Sequence, residues 1–243
     1  MKRKYKTGIG LVAVIAVLAV AQYALQMATQ AQARGTVQAP VYQVDPMWPK
    51  PLPNNWVMGS VVGLSIDAKD HVWITHRGNV APKEAGMLAG TNGMQQPGGS
   101  PPPQPGDKRK ISDLCCDLAP PVLEFDPAGN LVSSWGGPGP GYQWPASMHG
   151  ITIDGKDNVW IGGSSPTSQS LTRRSDDMLL KFTRQGKFLL QIGGPDKSKG
   201  NADTSAVNKP ADAFVFAKTN EVFVADGYGN RRVIVFDAEK GTF

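Results

Sequence analysis

Gly150-Ile-Thr-Ile-Asp-Gly-Lys-Asp-Asn-Val-Trp-Ile-Gly162 is the stretch on which the fold turns. Two short apolar runs flank a polar turn, and the second run carries an aromatic residue, Trp160. That is the pattern of a β-hairpin. The pattern occurs earlier as Gly63-Leu-Ser-Ile-Asp-Ala-Lys-Asp-His-Val-Trp-Ile-Thr75 and later as Ala213-Phe-Val-Phe-Ala-Lys-Thr-Asn-Glu-Val-Phe-Val-Ala225. A second hairpin follows each copy. It reads Val122-Leu-Glu-Phe-Asp-Pro-Ala-Gly-Asn-Leu-Val-Ser-Ser-Trp-Gly136, then Leu179-Leu-Lys-Phe-Thr-Arg-Gln-Gly-Lys-Phe-Leu-Leu-Gln-Ile-Gly193. The last begins at Val233-Ile-Val-Phe-Asp237, close to Phe243.

Each unit therefore holds four strands, A to D, and four-stranded units in series are propeller blades. The fold class is all-β, and 28 Gly and 20 Pro fit its many turns. Blades are expected at about residues 58–140, 141–200 and 205–243. Their spacing is uneven because extra chain enters between strands B and C. The larger excess is a Pro/Gly-rich insert over residues 78–121, read as a loop excursion and not a domain. Residues 34–57 form an N-terminal extension in which Val41-Tyr-Gln-Val44 is a candidate closing strand.

Charge is concentrated at the start. Lys2, Arg3, Lys4 and Lys6 precede any acid, and without residues 1–33 the basic and acidic counts nearly cancel. A near-neutral remainder gives no electrostatic case for nucleic acid. The four cations lead into an apolar run from Ile9 to Ala21, and Ala31-Gln-Ala33 offers a small-x-small cleavage site. Residues 1–33 read as a signal peptide, with an uncleaved membrane anchor as the alternative. Either places the remainder outside the cytoplasm, as a periplasmic or secreted protein.

The units resemble NHL repeats, most clearly over Val222-Phe-Val-Ala-Asp-Gly-Tyr-Gly-Asn-Arg-Arg-Val-Ile-Val-Phe236. The resemblance implies a six-bladed parent, of which this chain holds about two and a half to three blades as an N-terminal fragment.

Antiparallel strand order puts the start of strand A, the end of strand B and the B–C loop on one face of each blade. His149 precedes strand A of the second blade. His76-Arg77-Gly78 and Asp226-Gly-Tyr228 follow strand B of the first and third. Arg77, His149 and Tyr228 are not needed by a blade core and should converge there. Asp226, Asn230 and Arg232 read as turn-capping residues, with Gly227 and Gly229 permitting positive φ around Tyr228. His76 reads as a packing residue, His71 as a surface residue on the opposite face, and Trp73 and Trp160 as core.

These segments resemble the peptidyl-α-hydroxyglycine α-amidating lyases. His76-Arg77-Gly78 is similar to that family's catalytic arginine segment, His149-Gly150-Ile151 to its first zinc-histidine segment, and Asp226-Gly-Tyr228 to its catalytic tyrosine segment. The resemblance implies zinc on His149 and calcium on the backbone carbonyls of Leu64 and Ile151. Arg77 and Tyr228 would be catalytic, with Tyr228 as general base. The substrate would be a peptide ending in α-hydroxyglycine, cleaved to peptide amide and glyoxylate. The chain departs from the family by offering one zinc histidine where three are used, by Gly229 where the family has Cys, and by its Pro-rich insert.

Two other readings stay open. One is a non-catalytic propeller that binds a protein, peptide or glycan on its loop-rich face. The other is a calcium-dependent lactonase, whose acidic metal cluster the sequence does not display. Cys115-Cys116 is the sole cysteine pair. In an oxidising compartment it forms either a strained vicinal disulfide or two free thiols.

Overall fold

The computed structural model describes residues 14–27, 40–77, 117–166 and 174–243. Most of the 78–121 insert, including Cys115 and Cys116, lies outside the described residues. The chain divides into two units, Met1–Pro46 and Met47–Phe243.

In the first unit residues 14–27 are helical and exposed. Among the described residues no helix is long and apolar enough to cross a membrane. Residues 41–44 form no strand pairing, and Val41 and Tyr42 are almost fully exposed.

The second unit is built from strands. β2 (Val61–Ile66), β3 (Val72–His76), β5 (Val122–Phe125) and β6 (Leu131–Trp135) form one antiparallel sheet. β7 (Met148–Ile153), β8 (Val159–Gly163), β9 (Met178–Phe182) and β10 (Phe188–Gly193) form the second. β11 (Asp212–Phe216), β12 (Glu221–Asp226) and β13 (Arg232–Asp237) form the third, with three strands. In each sheet the strands follow one another in chain order, as blades require.

The end of the insert has structure that its composition did not announce. β1 (Trp56–Val57) pairs in parallel with β4 (Asp117–Leu118), and the His76 amide bonds to the Pro121 carbonyl. Trp48, Leu52, Trp56 and Met58 pack on Ile74, Leu123 and Phe125, so residues 47–58 cover the outer face of the first blade.

Blades stack through alternating residues of strand B. Trp73 joins the core formed with Ile151, Val159 and Ile161 of the second blade. Trp160, from the other face of its blade, joins Val222, Val224 and Ile234 of the third. Both indoles are buried, and each donates its N–H to an aspartate at the head of its own A–B turn. Trp73 Nε1 lies 3.1 Å from Asp67 Oδ2 and Trp160 Nε1 3.0 Å from Asp154 Oδ2. The same carboxylates accept two turn amides each, from Lys69 and His71 and from Lys156 and Asn158.

The third blade lacks this bracket, because Ala217 and Phe223 stand at the corresponding places. Its turn is shorter. Ile66 pairs with Val72 and Ile153 with Val159, whereas Phe216 pairs with Glu221 across a turn closed by Asn220 at φ 57°. Strand A therefore slips by one residue against the sequence alignment. Ala213, not Phe214, occupies the pairing position of Leu64 and Ile151. A one-residue slip exchanges the two faces of a strand. Ala213 and Val215 consequently pack inward, and Phe214 is 60% exposed.

The first strands of successive blades meet at glycines. A Cβ on Gly63 would lie 2.5 Å from the His149 carbonyl oxygen, and one on Gly150 2.6 Å from that of Ala211. This close approach brings the pre-A positions of neighbouring blades together.

Candidate functional site

At the end of the sheets where strand A begins and strand B ends, each blade ties its entering chain down with a buried polar group. In the first blade the group is His76, fully buried. Its Nδ1 accepts from the Gly59 amide at 3.0 Å, and its Nε2–H donates to the Pro120 carbonyl at 2.9 Å. Burial lowers the His76 pKa against the opposing pull of the Pro120 carbonyl, which fits a neutral imidazole with both nitrogens used. In the third blade Asp226 fills the matching place. Its Oδ1 accepts from the Asn208 amide at 2.7 Å, and its Oδ2 from Asn230 and Arg232 at 2.8 Å each. Asp226, Asn230 and Arg232 are structural in this geometry.

The second blade has Gly163 at that place and brings a carboxylate from elsewhere. Asp176, just before β9, is fully buried, and its Cβ stands 2.6 Å from where a Cβ on Gly163 would be. It accepts from the amides of Ala146, Ser147 and Ser165. Burial pushes its pKa up, against those amides and Arg174. Asp176 was missed in the sequence because it substitutes in space and not in alignment. The available signal was Gly163 standing where the other blades have His76 and Asp226.

His149 follows two residues after the Asp176-bound Ser147. Its Nδ1 lies 2.9 Å from the Ala211 carbonyl oxygen, which can only accept, so Nδ1 carries the proton. Nε2 is then a lone-pair acceptor, and the Tyr228 hydroxyl donates to it at 2.9 Å. The two rings meet edge-on with centroids 5.0 Å apart. Tyr228 is 58% exposed. The pair is thus reachable from solvent on one side and fixed by the neighbouring blade on the other.

The structure joins His149 and Tyr228 across the second and third blades. It places Arg77 at the same end of the first blade, half-buried after β3, with its amide on the Ser60 carbonyl. Leu64 and Ile151 occupy equivalent pairing positions in β2 and β7, opposite Ile74 and Ile161. One expectation about the tyrosine turn is corrected. Neither Gly227 nor Gly229 has positive φ. Gly229 is crowded instead by a side chain, since a Cβ there would fall 1.9 Å from Asn208 Oδ1 and would displace it.

A second correction concerns His71. It is half-buried, with its Nδ1 2.7 Å from the buried Glu124 carboxylate and 3.1 Å from Arg184 Nη2. Asp67, His71 and Glu124 place three ligand atoms within 4.8 Å of one another, a group that could accept a metal ion. Arg184 already supplies a cation there. It reaches across from the second blade to bond Asp67 at 2.7 Å and Glu124, with its guanidinium 5.1 Å from the Trp73 ring centroid. Burial pushes the Asp67 pKa up. The Trp73 indole, the Lys69 and His71 amides and Arg184 outweigh it and hold the carboxyl at about 2.

The chain has three histidines. His76 uses both nitrogens and His71 belongs to the Arg184 cluster at the other end of the sheets, which leaves His149. Its carbonyl-anchored Nδ1–H and open Nε2 match the usual orientation of a metal-ligating imidazole. One imidazole does not complete the three protein ligands of a catalytic zinc. Two backbone carbonyls likewise fall short of the six to eight oxygens around calcium.

No protein-family model matches the chain. A curated relative, described as a probable peptidyl-alpha-hydroxyglycine alpha-amidating lyase of Caenorhabditis elegans, is 31% identical over 91 residues. That stretch is 37% of this chain and 23% of the relative, so the match spans about a quarter of the relative's length. The chain's antiparallel sheets, with strands paired in chain order, are built as the blades of a β-propeller. Solved structures similar to it include a virginiamycin B lyase from Staphylococcus aureus, at 12% identity and TM-score 0.35, covering 76% of this chain and 43% of that one. A streptogramin B lyase gives 10% identity and 0.35, covering 74% and 41%. A gluconolactonase from Xanthomonas campestris gives 11% and 0.28, covering 71% and 56%. The propeller assignment rests on the order and pairing of this chain's own sheets.

Proposed function

We propose that this NHL propeller is exported and acts, within a complete six-bladed ring, as a carbon–nitrogen lyase on peptides ending in α-hydroxyglycine. The observation that carries the reading is the 2.9 Å hydrogen bond from Tyr228 to His149 Nε2 at the solvent-facing junction of two blades. The amidating-lyase relative supports it, as do the sequence segments around Arg77, His149 and Tyr228.

The chain's own residues account for proton movement. His149, fixed as the Nδ1–H tautomer by Ala211, gives the phenol proton of Tyr228 a place to go. The resulting phenolate takes the proton of the substrate α-hydroxyl. As that oxygen becomes the carbonyl of glyoxylate, the C–N bond breaks and its electron pair leaves with the amide nitrogen. The nitrogen takes a proton back from Tyr228, and a peptide amide is released. Arg77, at the same end of the sheets, supplies positive charge for the substrate carboxylate. The same Nε2 is the only nitrogen of His149 that could help to hold zinc, which would supply Lewis-acid polarisation when bound, so taking the Tyr228 proton and holding zinc are alternative roles of this atom.

Glyoxylate release from a peptidyl-α-hydroxyglycine by the full-length protein tests this reading. Tyr228→Phe should lower kcat by at least about 100-fold, the lower range for a positioned general base. An absence of glyoxylate from folded, metal-supplemented wild type would refute it. Export is checked separately by N-terminal sequencing of the mature protein, which should begin at Arg34.

A further inference from the structure

Tyr228 stands on a turn that runs from Asp226 to Asn230, and the support beneath this turn comes from a residue outside it. Asn208 lies in the chain leading into β11. Its amide donates to Asp226 Oδ1 at 2.7 Å, at the start of the turn. Its carbonyl accepts from the Gly229 amide at 3.0 Å, directly after Tyr228. Its side chain fills the space where residue 229 would otherwise carry a Cβ. That atom would lie 1.9 Å from Oδ1, 2.1 Å from Cγ and 2.8 Å from Nδ2.

The two glycines around Tyr228 are therefore glycines for different reasons. Neither has positive φ, so backbone conformation does not demand glycine at either place. Around Gly227 nothing lies within 4 Å of an added Cβ. Of the two, only Gly229 is crowded, and what crowds it is the Asn208 side chain, which would have to leave its place to admit a Cβ. Asn208 Oδ1 is also buried without a hydrogen-bond partner, an arrangement that costs free energy and gains no bond in return.

We infer that Asn208 is a positioning residue for Tyr228. It wedges under Gly229 and pins both sides of the turn, and so sets the reach of the phenol to His149 Nε2. The catalytic meaning of that reach rests on the function proposed above, but the mechanical coupling does not.

The test uses Gly229→Ala, Asn208→Ala, the double variant and Gly227→Ala in the 243-residue chain. The Tyr228–His149 hydrogen bond is read directly from the 15N shift of His149 Nε2. Gly229→Ala should weaken or abolish the hydrogen-bonded shift, because the new methyl drives the Asn208 side chain from its place under the turn. Removing the Asn208 side chain alongside it should restore the shift. Asn208→Ala alone should leave the shift weakened and broadened, and Gly227→Ala should leave it as in wild type. An unchanged shift in Gly229→Ala, or no recovery in the double variant, overturns the inference. Should Gly229→Ala fail to fold, recovery of a folded double variant still supports it and a double variant that also fails overturns it. In the full-length protein, Gly229→Ala should lower kcat more than it raises KM. If wild type releases no glyoxylate while the shifts behave as stated, the proposed reaction falls and the positioning role stands.

Discussion

Replacing Arg184 by Met tests what holds the first two blades together and whether the Asp67, His71 and Glu124 group is an ion pair or a metal site. The side chain of Arg184 is 14% exposed, while those of Asp67 and Glu124 are 0% and 2% exposed. Methionine keeps the length and apolar stem but leaves two buried carboxylates without their cation. Removing one partner of a buried pair costs about 3–5 kcal/mol. Urea unfolding at pH 7 should show a free energy of unfolding lower by that amount, read as a lower midpoint with an unchanged slope. The pH dependence has a definite sign. The folded pKa of Asp67 is depressed to about 2, so its contribution is present above its ordinary value and is lost as pH falls toward 2. The gap between wild type and Arg184→Met should therefore narrow on acidification below about pH 4. Adding Glu124→Gln should recover part of the loss at pH 7. Divalent zinc should not raise the wild-type midpoint but should raise that of Arg184→Met, where the three ligands face no competing cation. A loss under about 0.5 kcal/mol at pH 7, the range of an ordinary surface change, would refute the ion-pair account. So would a wild-type midpoint that climbs with zinc and falls with chelator.

Three further outcomes follow from the geometry. Asp154→Ala removes the acceptor of the Trp160 indole and of the Lys156 and Asn158 amides, and should cost about 1–3 kcal/mol in chemical denaturation. Trp160→Ala, at a side chain shared between the second and third blades, should cost about 3–5 kcal/mol by the same measurement. Gly63→Ala would place a Cβ 2.5 Å from the His149 carbonyl oxygen. It should cost about 1–3 kcal/mol through overpacking and perturb the His149 Nε2 resonance, whereas Gly155→Ala, whose Cβ would meet only Ala217 at 3.8 Å, should do neither.

What the sequence displayed and what it concealed divide along a physical line. Strand placement was legible because alternation is local, and Trp73 and Trp160 announced core positions by type and spacing. The meeting of His149 with Tyr228 was legible too, because antiparallel order fixes which strand ends share a face. The slip of β11 was not. The three A–B segments have equal length, and only the missing Asp–Trp bracket in Ala217 and Phe223 signals that the third turn closes differently. Asp176 and Arg184 were invisible for a related reason. Each acts across a distance that no repeat alignment encodes, Asp176 by entering the space left by Gly163 and Arg184 by crossing to the preceding blade. Asp176 compensates for a departure from the repeat, the glycine at position 163. This gives a rule for the site. Where one blade departs from its neighbours, the compensating group lies next to the position that changed. Gly229 and Asn208 obey it, and Asn208 is read as a functional support for Tyr228 on that ground as well as on its contacts.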